Sequence, residues 1–397
     1  MRLPLIETPA ELAETLVEAG VANAVAAGFA ARMPDGKWEV SSGEACARGL
    51  SGTPRVRAAS GIVFDLASVT KPMTAMAFAC SGLDPQQTLA ATVGEVSATA
   101  SAAAPVELLL AHRAGLLAHV PLYRSLVGRG TPRTAALALA ASSRRPEALG
   151  AIPPAGFDPV YSDLGYFLAG EVLARRLRAQ DAGEAIENVV VDALSLRDEL
   201  GTSRALGLRG VDFHDRVAPT EVVEQRGGEI RGVVHDENAW AIGGEGGEGH
   251  AGMFGTARAL LAFGRAVFDA VVHGEGPLAR SSGEDPRRWR GARKEELAWL
   301  VAPRPGGTLL AGFDGKSEHG SSAGEAAGPR TFGHLGFTGT SLWIDPDASA
   351  LVVLLTNRVY PTRESALIRV ARPQAHDALF RMAARAQTAT HSPRQGR

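Results

Sequence analysis

The chain has 397 residues, 45% of them hydrophobic and 21% charged, which places it among globular proteins with room for one large or two medium domains. A formal charge of −2 at pH 7 gives no electrostatic reason to bind nucleic acid or an anionic membrane. Its two cysteines, Cys46 and Cys80, exclude a disulfide framework and a cysteine-rich zinc site.

The first residues, "MRLPLIETPAELAETLVEAG", hold no long apolar run and turn acidic at Glu7, so no secretory signal is expected. No stretch reaches the ~18 apolar residues of a spanning helix. These features predict a soluble, cytoplasmic protein that does not engage a membrane. Thr8-Pro9-Ala10-Glu11 is a capping-box pattern with proline at the first helical position, which predicts a helix from about Pro9 to Gly20. "NAVAAGFAAR" and "KWEVSSGEA" read as two strands joined at Pro34-Asp35-Gly36.

From Ser68 to about residue 260 helical patterns dominate, most clearly in "APVELLLAHRAGLL" and "YFLAGEVLARRLRAQ". Short β-rich runs follow in "GTLLAGF", "TSLWID" and "ALVVLLTN", and then an amphipathic helix near "PQAHDALFRMAARAQ". The order suggests an α/β domain formed by both chain ends, 1–67 with 261–390, around a mainly helical domain, 68–260. Residues 391–397, "HSPRQGR", read as a frayed tail.

Within "FDLASVTKPMTAMAF", Ser68 and Lys71 stand three apart at an expected helix start, so they share one face. A serine hydroxyl needs a base, and a helix N-terminus favours developing negative charge. Pro72 would fall in the first turn, where its missing N–H costs least. An ordinary serine cap followed by a surface lysine would spell the same pattern. In "VYSDLGYFLAG", Tyr161 and Asp163 can face one cleft, Tyr161 as a proton carrier if a nearby cation lowers its pKa. They could equally be a packed ring and a helix cap. In "FGHLGFTGTSLWIDP", His334-Leu335-Gly336 would open a strand that a substrate could approach closely.

The ordered set S-x-x-K, Y-x-[ND] and [KH]-x-G resembles the serine β-lactamase and penicillin-binding-protein superfamily. Within it the chain is most similar to the class C type and its esterase relatives. Further similar stretches are "ELLLAHRAGL", "VHDENAWAIGGEGGEGHAGMFGTA" and "LLTNRVYPTR". The resemblance implies a β-lactamase/transpeptidase-like α/β fold: an antiparallel sheet flanked by helices, with an inserted all-α domain. It implies an acyl-enzyme on Ser68, Lys71 as its proton partner and Tyr161 as general base and acid. It also implies an oxyanion hole from the backbone N–H groups of Ser68 and Phe337, with Gly336, Asp163 and His334 on the substrate side, and neither metal nor cofactor. Small esters, amides or peptides are the expected substrates. Carboxylic esters come first, then D-amino-acid amides or muropeptides, and a ligand-binding homologue without catalysis is the rival.

Two positions depart from the β-lactamase form. Asp163 replaces an asparagine that could donate to a substrate carbonyl, and as an anion it would hold Lys71 protonated. His334 replaces a lysine, and a neutral imidazole grips a substrate carboxylate weakly. Three other patterns are decoys. "GSSAG" around Ser322 lacks the strand and helix of a nucleophile elbow, "GGEGGEG" lacks a phosphate-loop ending, and His235, Asp236, Glu237 and His250 lack a recognised ligand spacing. His112 is expected to pack within the helical region.

Overall fold

The computed structural model describes residues 3–47, 61–126, 132–280 and 291–389. The expected tail, 391–397, lies outside them. Helix α1 runs Pro9–Glu18, with Thr8 accepting from the Glu11 amide and Glu11 reaching back to the cap, as the capping box predicts.

Strands β1 (Ala24–Arg32) and β2 (Trp38–Cys46) form the expected hairpin. They join β3 (Asp314–Gly315), β4 (Phe332–Leu335), β5 (Ser341–Asp345) and β6 (Ala350–Thr356) in one antiparallel sheet of order β2-β1-β6-β5-β4-β3. The central pair joins the two ends of the chain, Val25 opposite Thr356 and Ala31 opposite Ala350. Side chains alternate between the faces of a strand, and here each face feeds a different core. Ala24, Ala26, Leu351, Val353 and Leu355 enter the larger cluster, while Val25, Ala27, Phe29, Val352 and Leu354 pack with α1 and the last helix. Both strands are therefore apolar except at their last residues, Arg32 and Thr356, as a sheet covered on two sides requires.

Helix α2 (Thr70–Cys80) is buried at every position, and α3 (Asp163–Leu177) lies beside it. Helix α4 (Ala257–Phe268) packs on β1, β5 and β6, so the expected boundary at residue 260 falls within a helix that belongs with the sheet. Gly28 is small because a Cβ there would sit 2.8 Å from the Leu261 side chain. Helix α5 (Leu367–Ala389) covers the outer face and carries Pro373 inside it.

Three local expectations change. "GTLLAGF" contributes no strand, only a bridge between Leu309 and Asp314 ahead of the short β3. "APVELLLAHRAGLL" yields a five-residue helix, Val106–Leu110, because His112 and Gly115 turn the chain with positive φ, 59° and 77°. His334 lies near the end of β4 rather than opening a strand. Among the described residues no helix is long and apolar enough to cross a membrane.

Candidate active site

The turn before α2 carries Ser68. Ala67 sits in the left-handed region at φ 47°, a conformation uncommon for a residue with a Cβ. Asp65 holds it there. One carboxylate oxygen accepts from the Ala67 amide at 2.8 Å and the other from the His235 amide at 2.7 Å. The same turn is tied to the sheet, since Thr338 Oγ1 donates to the Asp65 carbonyl (2.8 Å) and Thr340 Oγ1 to the Leu66 carbonyl (2.9 Å). This close approach explains Gly336, where a Cβ would lie 2.6 Å from the Leu66 carbonyl oxygen. Ser68 falls in a short 3-10 turn, Ala67–Val69, that leads into α2, so Ser68 stands two residues before the α-helix, whose cap is Val69.

Lys71 is 0% exposed. A buried ammonium must place three hydrogens, and three acceptors surround it: Ser68 Oγ at 2.8 Å, Asp163 Oδ1 at 2.8 Å and the His250 carbonyl at 3.3 Å. Burial by itself pushes the amine down, but the Asp163 charge and hydrogen bond, with a smaller contribution from Tyr161, outweigh it and hold Lys71 above its ordinary value. Asp163 is free for this role because Ser162 caps α3 in its place, accepting from the Gly165 amide.

The Tyr161 ring lies under the Lys71 amine, 4.7 Å from Nζ to the ring centre. Burial raises the Tyr161 phenol above its usual value, partly offset by the Lys71 charge, while the Asp163 charge adds to the rise. The expected depression of Tyr161 by a neighbouring cation is thus present and is outweighed by desolvation. At neutral pH the cluster therefore rests with Lys71 as a cation and Tyr161 as a neutral phenol.

A cleft of about 530 Å³ opens above this cluster, lined by Ser68, Tyr161, Asp163, Gly336 and Phe337 among others. Five of the seven expected site residues therefore share one cavity, and Lys71, fully buried, is joined to it through its bonds to Ser68 and Asp163. His334 does not line it. It is 2% exposed, its ring centre stands 6.0 Å from that of Tyr161, and its Nδ1 meets the Leu335 carbonyl at 2.8 Å. Burial first, then the charge of Lys71, keeps it below its usual pKa and hence neutral.

Several supporting residues carry no local sequence signal. His112 stacks on Tyr161 with ring centres 4.7 Å apart, and its Nδ1 accepts from the Ser162 amide at 2.9 Å. The glycine-rich run packs against α3, where a Cβ on Gly249 would lie 2.9 Å from Gly170 Cα; that approach delivers the His250 carbonyl to Lys71. His119, also on the cleft wall, places Nδ1 4.0 Å from Asp163 Oδ2.

The decoys resolve into structure. His250 pairs with Asp236 at 3.1 Å and His235 with Glu221 at 2.9 Å, and among the described residues no group of three or more His, Cys, Asp or Glu side chains is placed to hold a metal. Ser322 lies on an irregular loop, and its carbonyl meets His376 Nδ1 at 2.6 Å.

The Beta-lactamase family model matches residues 13–376. The chain belongs to the β-lactamase family, whose enzymes are hydrolases. Among curated relatives it is 26% identical, over 249 residues, to an Escherichia coli O157:H7 protein provisionally named D-alanyl-D-alanine carboxypeptidase; the match covers 57% of this chain and 49% of that one. A similarly named protein of Salmonella gallinarum is 25% identical over 209 residues, 50% of this chain and 45% of the other. The matches thus span about half the length of these relatives.

Among solved structures, a class C β-lactamase from Rhodobacter sphaeroides superposes with a TM-score of 0.61 at 16% identity, covering 94% of this chain and 97% of the other. A penicillin-binding-protein homologue from Caulobacter crescentus gives 0.61 at 19%, covering 94% and 96%. EstCE1, described as a hydrolase with promiscuous acyltransferase activity, gives 0.60 at 18%, covering 93% and 97%. The fold is therefore that of β-lactamases and penicillin-binding proteins, as the motifs imply.

Proposed function

We propose that this chain is a serine hydrolase working through an acyl-enzyme on Ser68, with carboxylic esters as its preferred substrates. The observation that carries the reading is the buried Lys71 ammonium, whose three hydrogens are fixed by Ser68, Asp163 and the His250 carbonyl, with Ser68 and Asp163 lining an open cleft.

In this reading Ser68 Oγ forms a bond to the substrate carbonyl carbon as its proton passes to the oxygen of ionised Tyr161. Lys71 remains an ammonium throughout and stabilises the phenolate beside it. The oxyanion is held by the backbone N–H groups of Ser68 and Phe337, donors of a type that commonly supply several kcal/mol in the transition state. Tyr161 then gives the proton to the leaving oxygen or nitrogen as that bond breaks. Water, deprotonated by Tyr161, attacks the acyl-Ser68 carbonyl, and the proton returns to Ser68.

The anionic Asp163 can accept but not donate at a substrate amide, and the neutral His334 is turned away from the cleft. Both favour esters over β-lactams. The relatives' names support a second reading, a peptidase or amidase acting on D-amino-acid or muropeptide substrates through the same Ser68.

Intact-mass analysis after incubation with a fluorophosphonate tests the central claim. One adduct on the wild type that is absent from Ser68→Ala is the expected result. No adduct on either protein would leave a ligand-binding homologue without catalysis, and an adduct that persists in the variant would move the nucleophile elsewhere.

A further inference from the structure

The wall of the cleft facing α5 is cationic. Arg358, Arg363, Arg369 and Arg372 all line it, in the same cavity as Ser68. Arg363 is neutralised, bridging Glu221 and Glu237. The other three have no carboxylate partner among the described residues. Arg358 donates only to carbonyls, those of Phe337 at 2.9 Å, Arg363 at 3.1 Å and Ser365 at 3.4 Å. Arg369 and Arg372 stand one turn apart at the start of α5, and Arg372 Nε is buried without a hydrogen-bond partner.

Three guanidiniums without carboxylate partners converge on this one cavity. Burial and the charge of Arg358 push the Arg372 guanidinium down to about 10; burial and the charges of Arg369 and Arg363 lower Arg358 as well. Like charges this close, with a buried donor unmet, raise the free energy of the fold unless an anion joins them. A single carboxylate would leave two of the three guanidiniums uncompensated, whereas guanidinium forks match phosphate and clustered carboxylates well. The Phe337 ring, 48% exposed, forms a platform between this wall and Ser68, with Arg358 4.6 Å and Arg363 5.5 Å from its centre.

We infer that Arg358, Arg369 and Arg372 form a subsite for a compact, multiply charged oxyanion, either a phosphoryl group or neighbouring carboxylates, carried by the substrate. As a statement about substrate it rests on the hydrolase reading above, and it names the class of ester or amide that the site selects. The strand position that could have held an anion has the neutral, buried His334, so anion recognition passes to the opposite wall. The leaving or acyl group next to Phe337 then carries the charge.

Calorimetric titration of the full chain at constant ionic strength tests this, with inorganic phosphate, pyrophosphate and tricarballylate as probes. Saturable binding at one site is expected, weakened at least about tenfold in Arg369→Gln/Arg372→Gln and partly restored in Arg369→Lys/Arg372→Lys. Preference for pyrophosphate identifies a phosphoryl group, and preference for tricarballylate identifies carboxylates. Binding of none of the three, or equal binding by the Gln variant, overturns the inference. If the Gln variant does not fold, phenylglyoxal modification of the wild type decides by peptide mapping. Anion must protect Arg369 and Arg372, and absence of protection is fatal. Anion binding without fluorophosphonate labelling of Ser68 would sink the hydrolase reading alone, whereas labelling without anion binding would sink this one alone.

Discussion

At the Ser68 end of the cleft the buried charge is closed on itself, while at the α5 end it stands open. Lys71 spends all three hydrogens on protein acceptors; Arg372 buries a donor that meets none. The first arrangement suits chemistry, because a cation fixed before the substrate arrives needs no reorganisation as charge develops. The second suits recognition, because three guanidiniums line the cavity with no carboxylate partner among the described residues. The two share Phe337, whose ring meets Arg358 and which lines the same cavity as Ser68.

The largest test of this division removes the proton carrier. Tyr161→Phe should lower kcat/KM for a neutral ester by about 10²–10⁴-fold, with little change in the binding of pyrophosphate. A comparable loss in both would show the two ends to be one unit. Wild-type kcat/KM should also climb with pH through the neutral range without levelling off by pH 9, since burial holds the Tyr161 phenol above its usual value. A plateau near pH 7 would name a different base.

A smaller effect is expected at Asp163. Its carboxylate raises both Lys71 and Tyr161, so Asp163→Asn should lower both. The rising limb of the pH profile then moves to lower pH, and activity at pH 7 gains up to about tenfold, one unit of pKa being a factor of ten. A shift of the limb to higher pH would contradict the assigned charges.

The smallest effect lies at the border between the two ends. Glu221 is buried, which would raise its carboxyl, yet Arg363 and His235 bring it down to about 2. A depressed carboxyl contributes stability that is complete above its unfolded value of about 4.5 and fades as pH falls toward 2. Glu221→Gln should therefore cost about 1–2 kcal/mol at pH 7, allowing for solvent at the part-exposed Arg363. The difference from wild type should shrink in acid denaturation curves below pH 4, and a constant difference across pH would rule out the ion pair as its source.

Much of this was legible in the sequence where one short segment carries both the cause and the effect. Thr8 and Glu11 cap α1 within a single turn, and Ser68 and Lys71 share a face through spacing alone. The ordered set of Ser68 and Lys71, Tyr161 and Asp163, and His334 and Gly336 also implies the fold through its family resemblance. What stayed hidden depends on distant residues. The third acceptor of Lys71 comes from His250, 179 positions away, and the anchor of Ala67 couples Asp65 to His235 across 170. The inward turn of His334 depends on which face of β4 meets Tyr161, a register that no local pattern fixes. "LLTNRVYPTR" reads as a family segment, yet the uncompensated charge of Arg358 emerges only once α5 folds back beside it.

The pairing of β1 with β6 bears on how the molecule is made. Val25 and Thr356 are neighbours in the sheet but are the full length of the functional machinery apart in the chain. During synthesis Ser68, Lys71 and Tyr161 all emerge well before the strand that completes the sheet beneath them. Contacts of such long sequence separation must await loop closure, and they slow folding. Until β6 arrives, β1 presents a bare edge of small apolar residues, the kind of surface on which partly made chains associate. Linking residue 397 to residue 1 and reopening the chain in a loop far from the cleft would bring β1 and β6 closer in sequence, and refolding should then become faster without any change to the site.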